Sequence, residues 1–234
     1  MVESSIKADA RCGLCKTICL KGFRGFTLAE VLITLVIIGV IAAMTIPTLI
    51  NKTNNHEFVS KLKKVYSTLS NATNQIISEE GSPKEWAANN ESLYNAYKKH
   101  LQIAKDCGGT GECFTDGNYK YLKGGSRDGF HSRTDIYSVL LNDGVSLTFG
   151  WTDGGACTNA ASYSNVGSEN KCAYMHADIN GQKGPNTIGR DIFIFALKEN
   201  GLYPGGCDED THCHSSAQGW GCACQVLKEN AMNY

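Results

Sequence analysis

The sequence predicts an α+β fold: one long N-terminal helix whose second half packs on a small antiparallel sheet, within a disulfide-rich head. Three observations carry this prediction. From Phe26 to Ile50 the chain holds a single charged residue, Glu30. Directly after that run, apolar residues recur at helical spacing as far as Ile77. Eight of the 11 cysteines lie beyond residue 100, among β-rich runs separated by glycine-containing turns.

The apolar run comes first. About 20 apolar residues span a bilayer, so the segment is long enough to insert. Residues 1–25 carry Lys7, Arg11, Lys16, Lys21 and Arg24 against Glu3 and Asp9, and the whole chain has a net charge of −1. A basic leader thus precedes an apolar segment and a mildly acidic body, an order that keeps the leader cytoplasmic. A cleaved secretory signal would show a small-residue site after its apolar core. Here Pro47 leads instead into a polar helical pattern. That near-neutral charge also gives no global sign of nucleic-acid binding.

Phe58, Leu62, Val65 with Tyr66, Leu69, and Ile76 with Ile77 continue the helix on one face. Gly81-Ser82-Pro83 stops it. Residues 27–79 therefore read as one helix about 80 Å long, with Gly39 and Pro47 as places to bend. A second helix is predicted over 84–105, with Trp86, Leu93, Tyr94, Tyr97 and Leu101 as its inner face. "YSVLLNDGVSLTF" is a hairpin pattern around Asn142-Asp143-Gly144. "CAYMHADI" and "DIFIFAL" form a second pair, giving about four strands. A short helix closes the chain, tied down by Cys222 or Cys224. The organisation is then a leader (1–25), an apolar helix (26–50), its amphipathic continuation (51–80) and a head (81–234).

Cysteine usage splits the same way. Cys12, Cys15 and Cys19 precede the apolar run, whereas Cys107, Cys113, Cys157, Cys172, Cys207, Cys213, Cys222 and Cys224 follow it. An even set confined beyond a membrane crossing points to an oxidised, extracytoplasmic head. Cys107 with Cys113, and Cys157 with Cys172, would close short loops, but eight cysteines permit on the order of a hundred connectivities.

At "KGFRGFTLAEVLITLVIIGVIAAMTIP" the chain resembles the N-terminus of type IV pilins and type II secretion pseudopilins. The matching features are a basic leader ending in Gly25, Phe26, Thr27-Leu28, Glu30 four residues beyond Phe26, the apolar helix and Pro47. The resemblance implies a pilin-like fold and cleavage by a prepilin peptidase between Gly25 and Phe26, with N-methylation of Phe26. Assembly would follow through the N-terminal helix, with Glu30, Phe26 and Pro47 as assembly residues. It also implies single-pass residence in the bacterial inner membrane, N-terminus cytoplasmic, then a periplasmic or cell-surface filament. The implied partners are the peptidase, other pilin or pseudopilin subunits, an inner-membrane assembly platform, and membrane lipid before assembly. No cofactor is required and no enzymatic activity is implied.

Physical chemistry gives Glu30 a purpose within that scheme. Cutting at Gly25 leaves an ammonium on Phe26, and Glu30 of an incoming subunit pairs with its neighbour's ammonium. Either charge alone in lipid costs on the order of several kcal/mol. The resulting head-to-tail contact does not close, so it propagates as a fibre.

Other constellations are weaker. "DINGQKGPNTIGRD" offers Asp178, Asn180, Gln182 and Asp191 as oxygen ligands for calcium. It starts like an EF-hand loop, but Gly189 stands where a bidentate Glu belongs. Major pseudopilins resemble it in holding calcium in a loop of the sheet; a glycine-rich turn with Asx side-chain bonds is the simpler expectation. Cys207, His212, Cys213, His214, Cys222 and Cys224 are zinc-ligand types, yet their spacing fits the common zinc modules poorly and an oxidising compartment favours disulfides. "CGLCKTIC" has three cysteines and no fourth ligand for a cluster. No G-x-S-x-G or H-E-x-x-H motif is present.

Two functions compete, and a third, a membrane-tethered enzyme or metal-dependent protein using the Cys/His cluster, is required by nothing in the sequence. One is a structural subunit of a pilus or secretion pseudopilus. The other is a minor pilin whose head acts at the tip in adhesion or substrate binding.

Overall fold

A computed structural model of the 234-residue chain describes residues 25–158, 170–207 and 213–234. Cys12, Cys15, Cys19, the leader charges and His212 lie outside the described residues. The chain forms two compact units, one ending at Thr48 and the other running Leu49–Tyr234.

Helix α1, Leu28–Glu80, contributes to both units and continues through Gly39 and Pro47. It ends at Gly81, whose N–H donates to the Ile77 carbonyl (3.1 Å) and whose φ of 85° favours glycine. In the first unit its side chains are almost all exposed. The hydroxyls there are folded back onto the helix: Thr34 donates to the Val31 carbonyl (2.9 Å) and Thr45 to that of Ile41 (2.9 Å). Such bonds hide polar groups in an apolar stretch.

In the second unit the helix becomes amphipathic. Phe58, Val59, Leu62, Val65, Leu69, Ala72 and Ile76 are buried in one core with the sheet. Helices α2 (Pro83–Trp86) and α3 (Asn90–Lys98) replace the single helix expected over 84–105. The reason is local. Asn89 accepts from the Ser92 N–H (2.8 Å) and Ser92 accepts from the Asn89 N–H (3.1 Å), a capping box that starts a new helix. Downstream, Ile103–Asp106 pairs as strand β1 instead of continuing α3.

Among the described residues the sheet has six strands, where about four were expected. After β2 (Tyr119–Lys120) and β3 (Ser126–Arg127), the other five strands of this sheet are β4 (Tyr137–Leu141), β5 (Ser146–Gly150), β6 (Lys171–Asp178), β7 (Ile192–Lys198) and β8 (Gly201–Pro204). The spatial order is β1-β4-β5-β6-β7-β8, antiparallel throughout. A separate hairpin, β2 (Tyr119–Lys120) with β3 (Ser126–Arg127), lies outside it. Helix α4, Cys222–Glu229, closes the fold.

Alternation sorts the central strands onto two cores. Ala173, Met175 and Ala177 of β6, with Phe193, Phe195 and Leu197 of β7, join the α1 core, where Tyr66 stacks on Phe195 (6.1 Å). Tyr174, Ile192, Ile194 and Ala196 face a second core made by Phe114, Tyr119, Phe130, Ile188 and Trp220. Both faces are therefore covered, and the two strands read as nearly continuous apolar runs.

Four disulfides join the head cysteines: Cys107–Cys113, Cys157–Cys172, Cys207–Cys224 and Cys213–Cys222. The first two are the short-loop pairs the spacing suggested, and the last two anchor α4 through both Cys222 and Cys224.

Candidate functional site: the helix start and the β6–β7 loop

At the start of α1, Gly25, Phe26 and Thr27 are outside the helix, and Phe26 is 86% exposed. Glu30 lies in the first turn. The Thr27 N–H and hydroxyl both donate to Glu30 Oε2 (2.8 Å each), and the Glu30 N–H donates to Thr27 Oγ1 (3.2 Å). This reciprocal capping box satisfies orphan donors of the helix terminus and ends the helix short of the Gly25–Phe26 bond. Its Thr-x-x-Glu spacing was present in the sequence, but the cap was not recognised there. Glu30 makes no ion pair among the described residues. Pro47, in mid-helix and exposed, has no N–H to give the carbonyl four residues earlier.

The residues from Phe26 to Ile50 form the exposed apolar surface of the first unit, including Leu28, Ile33, Val36, Ile38 and Met44. Its most apolar 18-residue window has a mean hydropathy of 2.5. By length and composition it qualifies as a membrane-crossing helix.

In the head, the β6–β7 connection brings Asp178, Asn180 and Asp191 together and leaves Gln182 exposed. Asp178 ends β6 and is fully buried; Asp191 precedes β7 and is fully buried as well. Asp191 accepts the N–H of Asn186 at Oδ2 (2.7 Å) and of Thr187 at Oδ1 (2.6 Å). Asp178 Oδ1 accepts the Asn180 N–H (3.3 Å), and Asn180 Nδ2 donates to the Gly184 carbonyl (2.9 Å). Three buried oxygens remain without a hydrogen-bond partner: Asp178 Oδ2, Asn180 Oδ1 and Asn186 Oδ1.

The electrostatics are unfavourable for a bare pair of carboxylates. Burial, and then the charge of Asp191, hold the Asp178 carboxyl well above the usual range. Burial pushes Asp191 up to about 6 despite its backbone donors. Lys61 acts weakly on Asp178 but is itself paired with Glu57 at 2.9 Å.

The loop is tied to its surroundings on three sides. Lys120 and residues 186–188 exchange backbone bonds, from Lys120 N–H to the Asn186 carbonyl (3.0 Å) and from Ile188 N–H to the Lys120 carbonyl (2.9 Å). Tyr234 donates its hydroxyl to the Gly189 carbonyl. Arg190 donates to Asn55 Oδ1 of α1 (3.3 Å). Gly189 has a φ of 84°, and a Cβ there would meet the Gly219 carbonyl at 2.8 Å and Cys222 Sγ at 2.9 Å. Only glycine lets the loop seat against the start of α4.

Among the described residues, no three His, Cys, Asp or Glu side chains come together as a metal-binding group. Cys207, Cys213, Cys222 and Cys224 are all spent in disulfides. The chemistry available at the loop is that of carboxylate and amide oxygens, which suits a hard cation such as calcium and not a soft one.

Comparison with known proteins separates the same two regions. Residues 20–46 match the prokaryotic N-terminal methylation motif, the signature of type IV pilins and pseudopilins. Residues 48–228 match a family described as a family of unknown function (DUF6613). No curated protein and no solved structure matches the chain. The second match spans more than three quarters of the sequence, so the chain belongs to the DUF6613 family, with a type IV pilin-type methylation motif at its N-terminal end.

Proposed function

We propose that this chain is a structural subunit of a type IV pilus or a type II secretion pseudopilus. It is held in the inner membrane by the apolar half of α1, cut by a prepilin peptidase between Gly25 and Phe26, methylated on Phe26, and assembled through that helix on an inner-membrane platform. The observation that carries this is the methylation motif at residues 20–46, joined to a helix whose apolar residues are exposed from Phe26 to Ile50. An exposed apolar stripe of that length needs lipid or neighbouring helices around it.

The capping box supports the cleavage step. It leaves the Gly25–Phe26 bond outside the helix, which starts only at Leu28, so a protease meets that bond free of helical hydrogen bonding. Once the bond is cut, the Phe26 ammonium lies four residues before a Glu30 that makes no ion pair among the described residues. In a stack of subunits the ammonium of one and the carboxylate of the next satisfy each other. Mass spectrometry of the mature protein should find N-methylated Phe26 at its N-terminus. A mature N-terminus at any other residue overturns the proposal.

A further inference from the structure

We propose that the cleft between α1, the β2–β3 hairpin and the β6–β7 loop binds the phosphate headgroup of an anionic phospholipid. The proposal rests on the reading that the apolar half of α1 sits in a bilayer, and it gives the helical turns just beyond that half a lipid to hold.

The first argument is the lining. The cleft measures about 630 Å³, within the range of small-ligand sites. Lys120 and Arg190 bring two positive charges to it, and no carboxylate lines it. Phe58, Leu122 and Pro185 supply apolar wall. Neither cation enters a salt bridge among the described residues. Asp191, next to Arg190 in the chain, is fully buried and spends its oxygens on the N–H groups of Asn186 and Thr187.

The second argument is how the charges are held. Thr187 lies opposite Lys120 in a β-bridge, and its carbonyl accepts the Arg190 N–H (2.9 Å). One residue therefore ties both cations to the same patch. The Arg190 guanidinium gives an N–H to Asn55 Oδ1 on α1 (3.3 Å), which draws it toward the helical wall of the cleft. A guanidinium has five N–H donors, so others remain for a phosphate, whose oxygens suit its fork. Lys120 adds a compact point charge beside it.

The third argument is place along the chain. The apolar run ends at Ile50, and Asn54, four residues on, is the first residue to line the cleft. Four residues of helix rise about 6 Å. The headgroup layer on each face of a bilayer is about 5–8 Å deep. Phosphates of the leaflet facing the head thus lie level with the helical wall of the cleft. A phospholipid matches both kinds of lining, the cations and the apolar wall; free phosphate matches only the first.

The test uses the full chain, reconstituted in vesicles of equal phosphatidylglycerol and phosphatidylcholine, extracted in neutral detergent and weighed by native mass spectrometry. It should retain one phosphatidylglycerol in preference to phosphatidylcholine. Lys120→Gln should weaken that preference about fivefold, and the double variant with Arg190→Gln at least about twentyfold. Lys123→Gln removes the same charge from an exposed residue outside the cleft lining, and the preference should stay within about twofold of the wild type. Millimolar inorganic phosphate should not displace the lipid.

Equal retention of the two lipids, equal losses in Lys123→Gln and Lys120→Gln, or full displacement by inorganic phosphate would overturn the site. Lipid-free dimers that disappear in Lys120→Gln would give the cleft to a neighbouring subunit and overturn it too. Vesicle flotation keeps this proposal apart from the one it rests on. A chain that floats with pure phosphatidylcholine yet retains no phosphatidylglycerol refutes the cleft alone, whereas one that floats with neither lipid refutes membrane residence as well.

Discussion

The two halves of α1 are built from the same backbone and opposite surfaces. Before residue 51 nearly every side chain is apolar and nearly every one is exposed; from Phe58 onward, apolar residues fall only on the face that meets the sheet. Leu62 is fully buried and Val36 is 65% exposed, although both are branched aliphatics in the same helix. The difference lies in what covers them. The second half finds its cover within the chain, whereas the first half must find it in lipid or in other subunits.

The comparison can be broken most directly at Glu30, the one charge in the first half. Glu30→Ala should leave processing largely intact and abolish filaments, as measured in the sheared surface or periplasmic fraction. Normal filaments would show that the carboxylate has no role in assembly. The next contrast is within the helix itself. Leu62→Ala should lower the head's unfolding free energy by about 2–5 kcal/mol. Val36→Ala should leave it within about 0.5 kcal/mol. Chemical denaturation in micelles measures both, and equal effects would erase the distinction between the halves.

The smallest effect belongs to the head's surface. Arg133 pairs with Asp135 and holds its carboxyl below the usual range. Because the folded-state value is the lower one, the stabilisation is fully present above the unfolded carboxylate value and is lost as pH falls from there through the folded-state value. Asp135 is exposed and Arg133 half-buried, so solvent screens the pair and it should amount to a few tenths of a kcal/mol at most. Asp135→Asn should remove that much of the loss of stability on acidification below about pH 5, read from denaturation midpoints across the acid range.

Legibility followed the range of the forces involved. Helix α1 was predicted over 27–79 and runs Leu28–Glu80, because its period and its Gly81 stop are local signals. The Asn142-Asp143-Gly144 hairpin, the β6–β7 pair and α4 were likewise readable. Strands β1 and β8 were not, since four-residue strands exist only by virtue of the neighbour they pair with. The second core escaped notice because its cover comes from Phe114, Phe130 and Trp220, which are far apart in sequence and sit on irregular backbone.

The candidate sites divide in the same way. Asp178, Asn180 and Asp191 stood out as oxygen donors at close spacing, whereas Asn186 did not, its position being set by Asp191 and a turn. Gln182, chosen on spacing alone, points to solvent. The Thr27–Glu30 cap is the reverse case, a local motif in plain view beneath a more conspicuous one.

The margins of the six-stranded sheet carry one more consequence. On one side β1 bears Lys105 and Asp106 and breaks register between Ile103 and Lys105; on the other, β8 is four residues long and ends at Pro204. Each is a poor template for another strand. Heads brought into close quarters would therefore be unable to zip together through their backbones. Whatever binds one copy sideways to the next must be read from side chains, which makes such contacts specific, reversible and open to change by single substitutions.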